Sequence, residues 1–537
     1  MDSEEPLHEP SRKEITIRPA GSESLLNERD SSSSPETALP VYQKPSWIDV
    51  WPQIVSSIIA LSSVIQPGIN MAFSGILIPQ LEKDSKINNF SKEEASWIAS
   101  LVAICQPLGA LFVGVLMDYI GRKKTSILSN VPIIAGWVIL YFTTESLWPI
   151  YIARILTGIG GGMTTVGLVY VAEISHVQFR SMLLSLNSVN VAFGILITTV
   201  VGVYLEWHTA TLCFGTLAVM SFCLTFFIPE SPYWLVNFTD SPLDEVKASV
   251  AYLNRKSWLF KEEWARVQKV ASERRLQKAI RDNGSCCGSI ANKIKVYGER
   301  GCYKPLIILC IVFFLQQTSG TYVVIFYTVN IFISLGGDFG FGFNEYNATA
   351  TLGVVRFVMS LVSAVLSKKI GRRPIMVISS AVMACSAFAT AFFLKINDID
   401  TISFGKDNSS ANFTSMSPTA EPPVFSNAYT LVSILSFVCA GSLGQMVIPW
   451  TLISELLPTK IRASGSGIMV SYGSFLLFVV IKTFPGLLDL ITLPYVFVMY
   501  AVMSIFSVIF VVFFLPETFR KNFAEIAEHF EKKRTIN

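Results

Sequence analysis

Long uncharged runs alternate with short charged connections from residue 50 to residue 516. A helix needs about 20 apolar residues to cross the hydrocarbon core of a bilayer. Charge-free runs of that length fall at 50–81, 95–117, 125–144, 181–205, 207–229, 305–337, 374–394, 422–454 and 490–516. Three more qualify when one cation is tolerated in each: 146–172 with Arg154, 346–367 with Arg356 and 463–488 with Lys482. The pattern therefore predicts an all-α membrane protein of twelve transmembrane helices. The runs at 50–81, 305–337 and 422–454 exceed the bilayer thickness and contain Gly and Pro, as tilted or broken helices lining a cavity do.

Cations in the connections orient the chain, because cytoplasmic loops carry the excess of Lys and Arg. The connection 238–303 carries thirteen of them. The loops at 118–124 and 368–373 add Arg122, Lys123, Lys124, Lys368, Lys369, Arg372 and Arg373, against Lys83, Lys86, Lys92, Lys395 and Lys406 on the other side. Both termini are accordingly expected in the cytoplasm. The sequons at Asn89, Asn408 and Asn412 then fall in external loops and are expected glycosylation sites. The expected organisation is a disordered cytoplasmic tail over 1–46 without a signal peptide, a six-helix half over 47–236, and a linker with short helices over 237–303. A second six-helix half over 304–518 and a tail over 519–537 complete it.

Composition narrows the function. Charged residues are 15% of the chain and the mean hydropathy is +0.50, whereas soluble domains carry about 25% charged residues. A net charge of +3 gives no reason to expect a nucleic acid partner. None of the nine cysteines lies in an expected external segment, so no disulfide framework is expected. The four histidines, His8, His176, His208 and His529, are scattered over tails and loops. No metal site, cofactor or catalytic constellation is expected, and hence no enzyme. The glycines at 158, 160, 161 and 162 sit inside an apolar run with no strand before them; they predict close helix packing rather than a nucleotide loop.

The two halves repeat one another. Gly121-Arg122-Lys123 follows span 2 and Gly371-Arg372-Arg373 follows span 8. Glu173 precedes Arg180 after span 4 as Glu455 precedes Arg462 after span 10. Pro229-Glu230-Ser231 ends span 6 and Pro516-Glu517-Thr518 ends span 12. Acids on the cytoplasmic side do not orient a chain, so their duplication points to another role. Charges paired between helix ends would hold a cytoplasmic gate closed and separate when it opens. Exposed pairs of about 0–1 kcal/mol are weak enough to break reversibly.

These motifs, with Asp118-x-x-Gly-Arg-Lys, Arg154-Ile-Leu-Thr-Gly, Pro229-Glu-Ser-Pro, Gln316-Gln317-x-Ser-Gly, Ile448-Pro449-Trp450 and Pro516-Glu-Thr, resemble the sugar porters of the major facilitator superfamily. In character they stand closest to insect facilitated trehalose and hexose transporters. The resemblance implies two pseudo-symmetric six-helix halves that alternate access to a central sugar site. It implies a gate built from Asp118, Arg122, Arg154, Glu173, Arg180, Glu230, Arg372, Glu455, Arg462 and Glu517. It places Gln316 and Gln317 on the substrate, since an amide offers both donors and acceptors, with Trp450 beneath it.

Several family sugar contacts are replaced: Ser188, Tyr322, Arg356, Ser442 and Ser471-Tyr472 stand where the pattern has Gln, Asn, Asn, Glu and Asn-Trp. Lys368 replaces an acid, and Tyr233 an Arg. Tyr322 and Arg356 thereby join the expected site, and Arg356 finds no acid inside any span. Proton-coupled members carry an acid in span 1, where 50–81 has none and Ala72 stands near the expected place. The expectation is facilitative transport of a neutral sugar such as a hexose or trehalose. The alternatives are a proton symporter, a non-transporting sensor or an organic-anion carrier. The partners expected are the sugar and the bilayer, for a monomer in the plasma membrane or an endosomal one.

Overall fold

The computed structural model describes residues 45–83, 91–144, 146–239, 241–282, 297–335, 345–367, 369–397, 424–458, 461–518 and 530. The expected glycosylation sites Asn89, Asn408 and Asn412, and nearly all of both tails, lie outside the described residues. The unit from Ser46 to Asn537 is built from helices. Twelve of those described are long and apolar enough to cross a membrane.

Spans 1 to 6 are Trp51–Glu82, Glu93–Ile120, Arg122–Tyr141, Trp148–Ile174, Val177–Gly202 and Trp207–Thr225. Spans 7 to 12 are Gly301–Thr318, Asn347–Leu366, Arg372–Ile396, Ala428–Ile453, Gly465–Leu490 and Leu493–Phe514. Every apolar run read in the sequence is one of these. The connections between spans 2 and 3 and between spans 8 and 9 lie at one end of the bundle, here called the basic end.

Packing follows the duplication. Span 1 packs on 5, 2 on 4, 3 on 4 and 3 on 6; in the second half 7 packs on 11, 8 on 10, 9 on 10 and 9 on 12. Spans 2 and 11 and spans 5 and 8 join the halves, two contacts that the same pseudo-twofold exchanges. Glycine makes the tight crossings possible: a Cβ on Gly162 of span 4 would lie 2.1 Å from the Gln106 carbonyl of span 2. This is the small-residue packing read from the glycine run.

The helices that break also correspond. Span 1 divides into Trp51–Ser62 and Ile65–Lys83, and span 7 continues past Thr318 as Thr321–Phe326 and Thr328–Ser334. Span 4 divides at Thr164, and span 10 contains Val424–Leu443 and Ile448–Leu456 with four residues between. Gly320 makes the turn in span 7 with φ +84°, a left-handed conformation costly for any side chain. In span 10 the backbone groups freed by the break are satisfied from span 9. Ser379 Oγ accepts from the Gln445 N–H at 3.0 Å and donates to the Ala440 carbonyl at 2.6 Å.

The linker bears helices Leu243–Leu253 and Ser257–Asp282 after a short one, Pro232–Phe238. They attach to the first half at its basic end. Gln53 Nε2 donates to Asn254 Oδ1 at 2.7 Å, while its Oε1 accepts from the His176 N–H at 2.8 Å.

Candidate functional site

A cavity lies between the halves. Its walls come from spans 1, 2, 4 and 5 on one side and from the broken part of span 7 with spans 8, 10 and 11 on the other. Its lining reaches Leu168 of span 4 and Asn187 of span 5, about 9 and 15 Å of helix from the basic ends at Ile174 and Val177. In the other direction span 1 closes on span 7: a Cβ on Gly75 would lie 3.3 Å from the Phe326 carbonyl, and Phe326 and Tyr327 are wholly buried.

Tyr322, Arg356 and Trp450 all line this cavity. Trp450 Nε1 donates to the Tyr322 hydroxyl at 3.3 Å, and the Arg356 guanidinium lies 5.8 Å from the centre of the Tyr322 ring. Arg356 Nη1 rests 3.0 Å from the Met446 sulfur, a weak acceptor, while Nε has no partner. Gln106, Asn187, Ser188, Ser360 and Ser474 complete the polar lining. Sequence reasoning did not select Gln106, Asn187, Ser360 or Ser474 for the site. Their only signal is polarity inside apolar runs, which many buried Ser and Thr share.

Gln316 and Gln317 are buried and do not line the cavity. Gln316 Nε2 donates to the Gln445 carbonyl at 2.8 Å, within the break of span 10. Its Oε1, and both polar atoms of the Gln317 amide, have no hydrogen-bond partner. A buried amide in that state is expensive. The sequence expectation that both touch substrate is thus not met by the lining of this cavity.

At the basic end the duplicated charges form two matching clusters. Arg122 Nη2 meets Glu173 Oε1 at 2.9 Å, and its Nη1 meets Asp118 at 3.3 Å. Glu230 accepts the backbone N–H groups of Arg122 and Lys123 at 2.8 and 3.1 Å, and Ser231 Oγ donates to Glu173. In the second half Arg372 Nη2 meets Glu455 Oε1 at 2.5 Å, and Glu517 accepts the N–H groups of Arg372 and Arg373, each at 3.1 Å. Thr518 Oγ1 donates to Glu455 at 2.8 Å.

Glu230 and Glu517 therefore cap the N-termini of spans 3 and 9, where the helix dipole favours an anion. The preceding Gly121 and Gly371, at φ +100° and +99°, let each carboxylate approach. Burial pushes the Glu230 carboxyl above the usual carboxylate range, against the pull of the backbone donors from Ser231, Lys123 and Arg122.

One expectation for this end, the place of Arg154, is corrected. The Arg122–Glu173 and Arg372–Glu455 pairs each lie within one half, because Glu173 and Glu455 face the helix N-termini of their own half. Neither pair bridges the halves. Arg154 is not at this end at all. It lies near the opposite end of span 4, wholly buried, with Nη2 donating to Ser74 Oγ at 2.9 Å, Nη1 to the Asn70 carbonyl at 3.3 Å, and Phe73 5.1 Å away. Nineteen positions separate it from Glu173, about 28 Å along a helix. Arg180 Nη2 donates to the Ser175 carbonyl at 3.2 Å. The Arg462 side chain lies outside the described part of the structure.

Comparison with known proteins agrees with this geometry. Residues 55–530 match the family model described as "Sugar (and other) transporter". The facilitated trehalose transporter Tret1 of Bombyx mori is 27% identical over 482 residues, covering 89% of this chain and 86% of the relative. That of Apis mellifera ligustica is also 27% identical, covering 89% and 88%. Among solved structures, the major facilitator proton:xylose symporter XylE bound to 6-bromo-6-deoxy-D-glucose has a TM-score of 0.70 at 19% identity, covering 90% of this chain and all of that one. A partially occluded inward-open form of XylE from E. coli has a TM-score of 0.63 at 16% identity. The protein is a multi-pass membrane transporter with the major facilitator fold, and it belongs to the sugar (and other) transporter family.

Proposed function

We propose that the protein is a facilitative transporter that carries a neutral sugar, such as a hexose or trehalose, down its gradient by alternating access. The observation that carries the uniport reading is the surroundings of Arg154. Proton coupling through the membrane core requires a group that gains and loses a proton there. The one deeply buried cation beside span 1 meets a carbonyl, a hydroxyl and a phenyl ring, none of which titrates near neutrality. No Asp or Glu is among the described residues that line the central cavity. The polar lining offers neutral donors and acceptors suited to hydroxyls, which supports a sugar as cargo, as do the trehalose transporters among its relatives.

In this reading the basic end faces the cytoplasm, consistent with its Lys and Arg, and the cavity opens toward it. A monomer in the plasma membrane suffices, since the substrate path lies between two halves of one chain. The test is uptake of radiolabelled trehalose and glucose into liposomes containing the purified protein. Uptake should stop at equal concentrations on both sides and be indifferent to a pH gradient. Accumulation that collapses with a protonophore would refute the uniport.

A further inference from the structure

Among the described residues that line the cavity, Arg356 is the sole Lys, Arg, Asp or Glu. The residue is 4% exposed, its Nε is unpartnered, and its polar neighbours are the Met446 thioether and the neutral Tyr322 phenol, whose hydroxyl is a hydrogen-bond partner. None of these compensates its charge. A guanidinium at this depth persists where it faces protein or water and marks a substrate path. A neutral sugar entering the cavity would offer hydroxyl acceptors, yet leave the charge uncompensated. A carboxylate supplies both, in the planar two-pronged geometry that a guanidinium matches.

Tyr322 adds to this site. Its oxygen accepts from Trp450 Nε1, and as a hydroxyl it can still donate its own proton to a ligand beside the guanidinium. Ser360 and Ser474 stay available to ring hydroxyls on the same side of the cavity.

We propose that the cavity also binds and carries acidic sugars of the hexuronate class, with the carboxylate seated on Arg356 and Tyr322. The inference rests on the sugar-transport reading and extends its substrate range to anions. Each cycle with such a substrate would move one negative charge across the membrane, which the neutral sugar does not.

The test uses a matched set on one ring: glucose, glucuronate and the neutral isostere glucuronamide. Each competes against labelled neutral sugar in liposomes containing the full-length protein, and uptake of labelled glucuronate is measured directly. Glucuronate should compete at least tenfold better than glucuronamide and should enter faster under an inside-positive potential. Arg356→Gln should abolish the preference, and Arg356→Lys should keep part of it. Equal competition by glucuronate and glucuronamide in the natural protein, needing no variant at all, would overturn the inference while leaving neutral transport standing. So would a preference that survives in Arg356→Gln. Absence of uptake for every sugar would overturn the sugar-transport reading itself.

Discussion

Substituting Glu173→Gln and Glu455→Gln, singly and together, separates two roles for the duplicated acids. Each carboxylate holds an arginine whose side chain is only 5% or 4% exposed, and is itself 21% or 18% exposed. Removing one partner of a buried pair costs about 3–5 kcal/mol. Glutamine keeps one acceptor oxygen and the hydrogen bond to Ser231 or Thr518, so about 2 kcal/mol is expected for each single variant. In units of 150–250 residues, 1 kcal/mol moves the unfolding midpoint by about 2–4 °C. Each substitution should therefore lower the midpoint, followed by tryptophan fluorescence in detergent, by about 4–8 °C. The two clusters share no side chain among the contacts described. Independent sites add within about 0.3–0.5 kcal/mol, so the double variant should lose the sum. A double variant no worse than the poorer single one would mean that the charges form one network across the halves. The assignment of each pair to its own half would then be wrong.

Other perturbations probe the caps, the break in span 7 and the linker contact. Glu230→Ala and Glu517→Ala each remove the acceptor of two helix N-terminal N–H groups, so each should cost about 1–2 kcal/mol; equal midpoints for variant and natural protein would refute the capping role. Gly320→Ala forces a side chain into φ +84° and brings its Cβ to 2.3 Å from the Tyr500 ring. It should lower both stability and transport rate, and a Tyr500→Ala partner should recover only part, because the backbone strain of about 1–2 kcal/mol remains. Burial holds the His176 imidazole below its ordinary value. Its stabilising contribution is therefore complete above about pH 6.5 and lost as pH falls through the depressed value. The natural protein should melt earlier at pH 5 than at pH 7.5, and His176→Asn should flatten that dependence.

Span positions were legible because an uncharged run of 20 residues has few alternatives to crossing a bilayer, and the duplicated motifs carried the symmetry as well. The breaks were legible as excess length with Gly and Pro. Pairing was not. Glu173 and Arg180 are seven residues apart in sequence, two turns of one helix if the chain runs on. His176 instead starts a new helix, which leaves Glu173 facing Arg122 from span 3. The Arg154 motif was read with its neighbours as a gate because a motif gives composition and order but not depth. Only the register of span 4 against span 1 puts Arg154 beside Asn70 and Ser74. The amides Gln316 and Gln317 illustrate the same limit: their polarity announces a constrained site, but the break in span 10, held by Ser379, decides what Gln316 touches.

The division of labour between polar and apolar contacts bears on how the halves move. Within each half the charged clusters tie three elements together: span 2 or 8 with its turn, the end of span 4 or 10, and the segment after span 6 or 12. Between the halves the contacts described are of another kind. The Phe193 and Phe357 rings meet at a tilt with centres 5.4 Å apart, Ser471 Oγ donates to the Pro107 carbonyl at 3.4 Å, and Lys482 Nζ lies 4.0 Å from the centre of the Trp97 ring. Strong, directional bonds resist change of geometry, whereas apolar surfaces and long hydrogen bonds slide with small loss. A rocking motion at spans 2/11 and 5/8 would then leave each six-helix half intact, with the charged clusters as the devices that make the halves rigid.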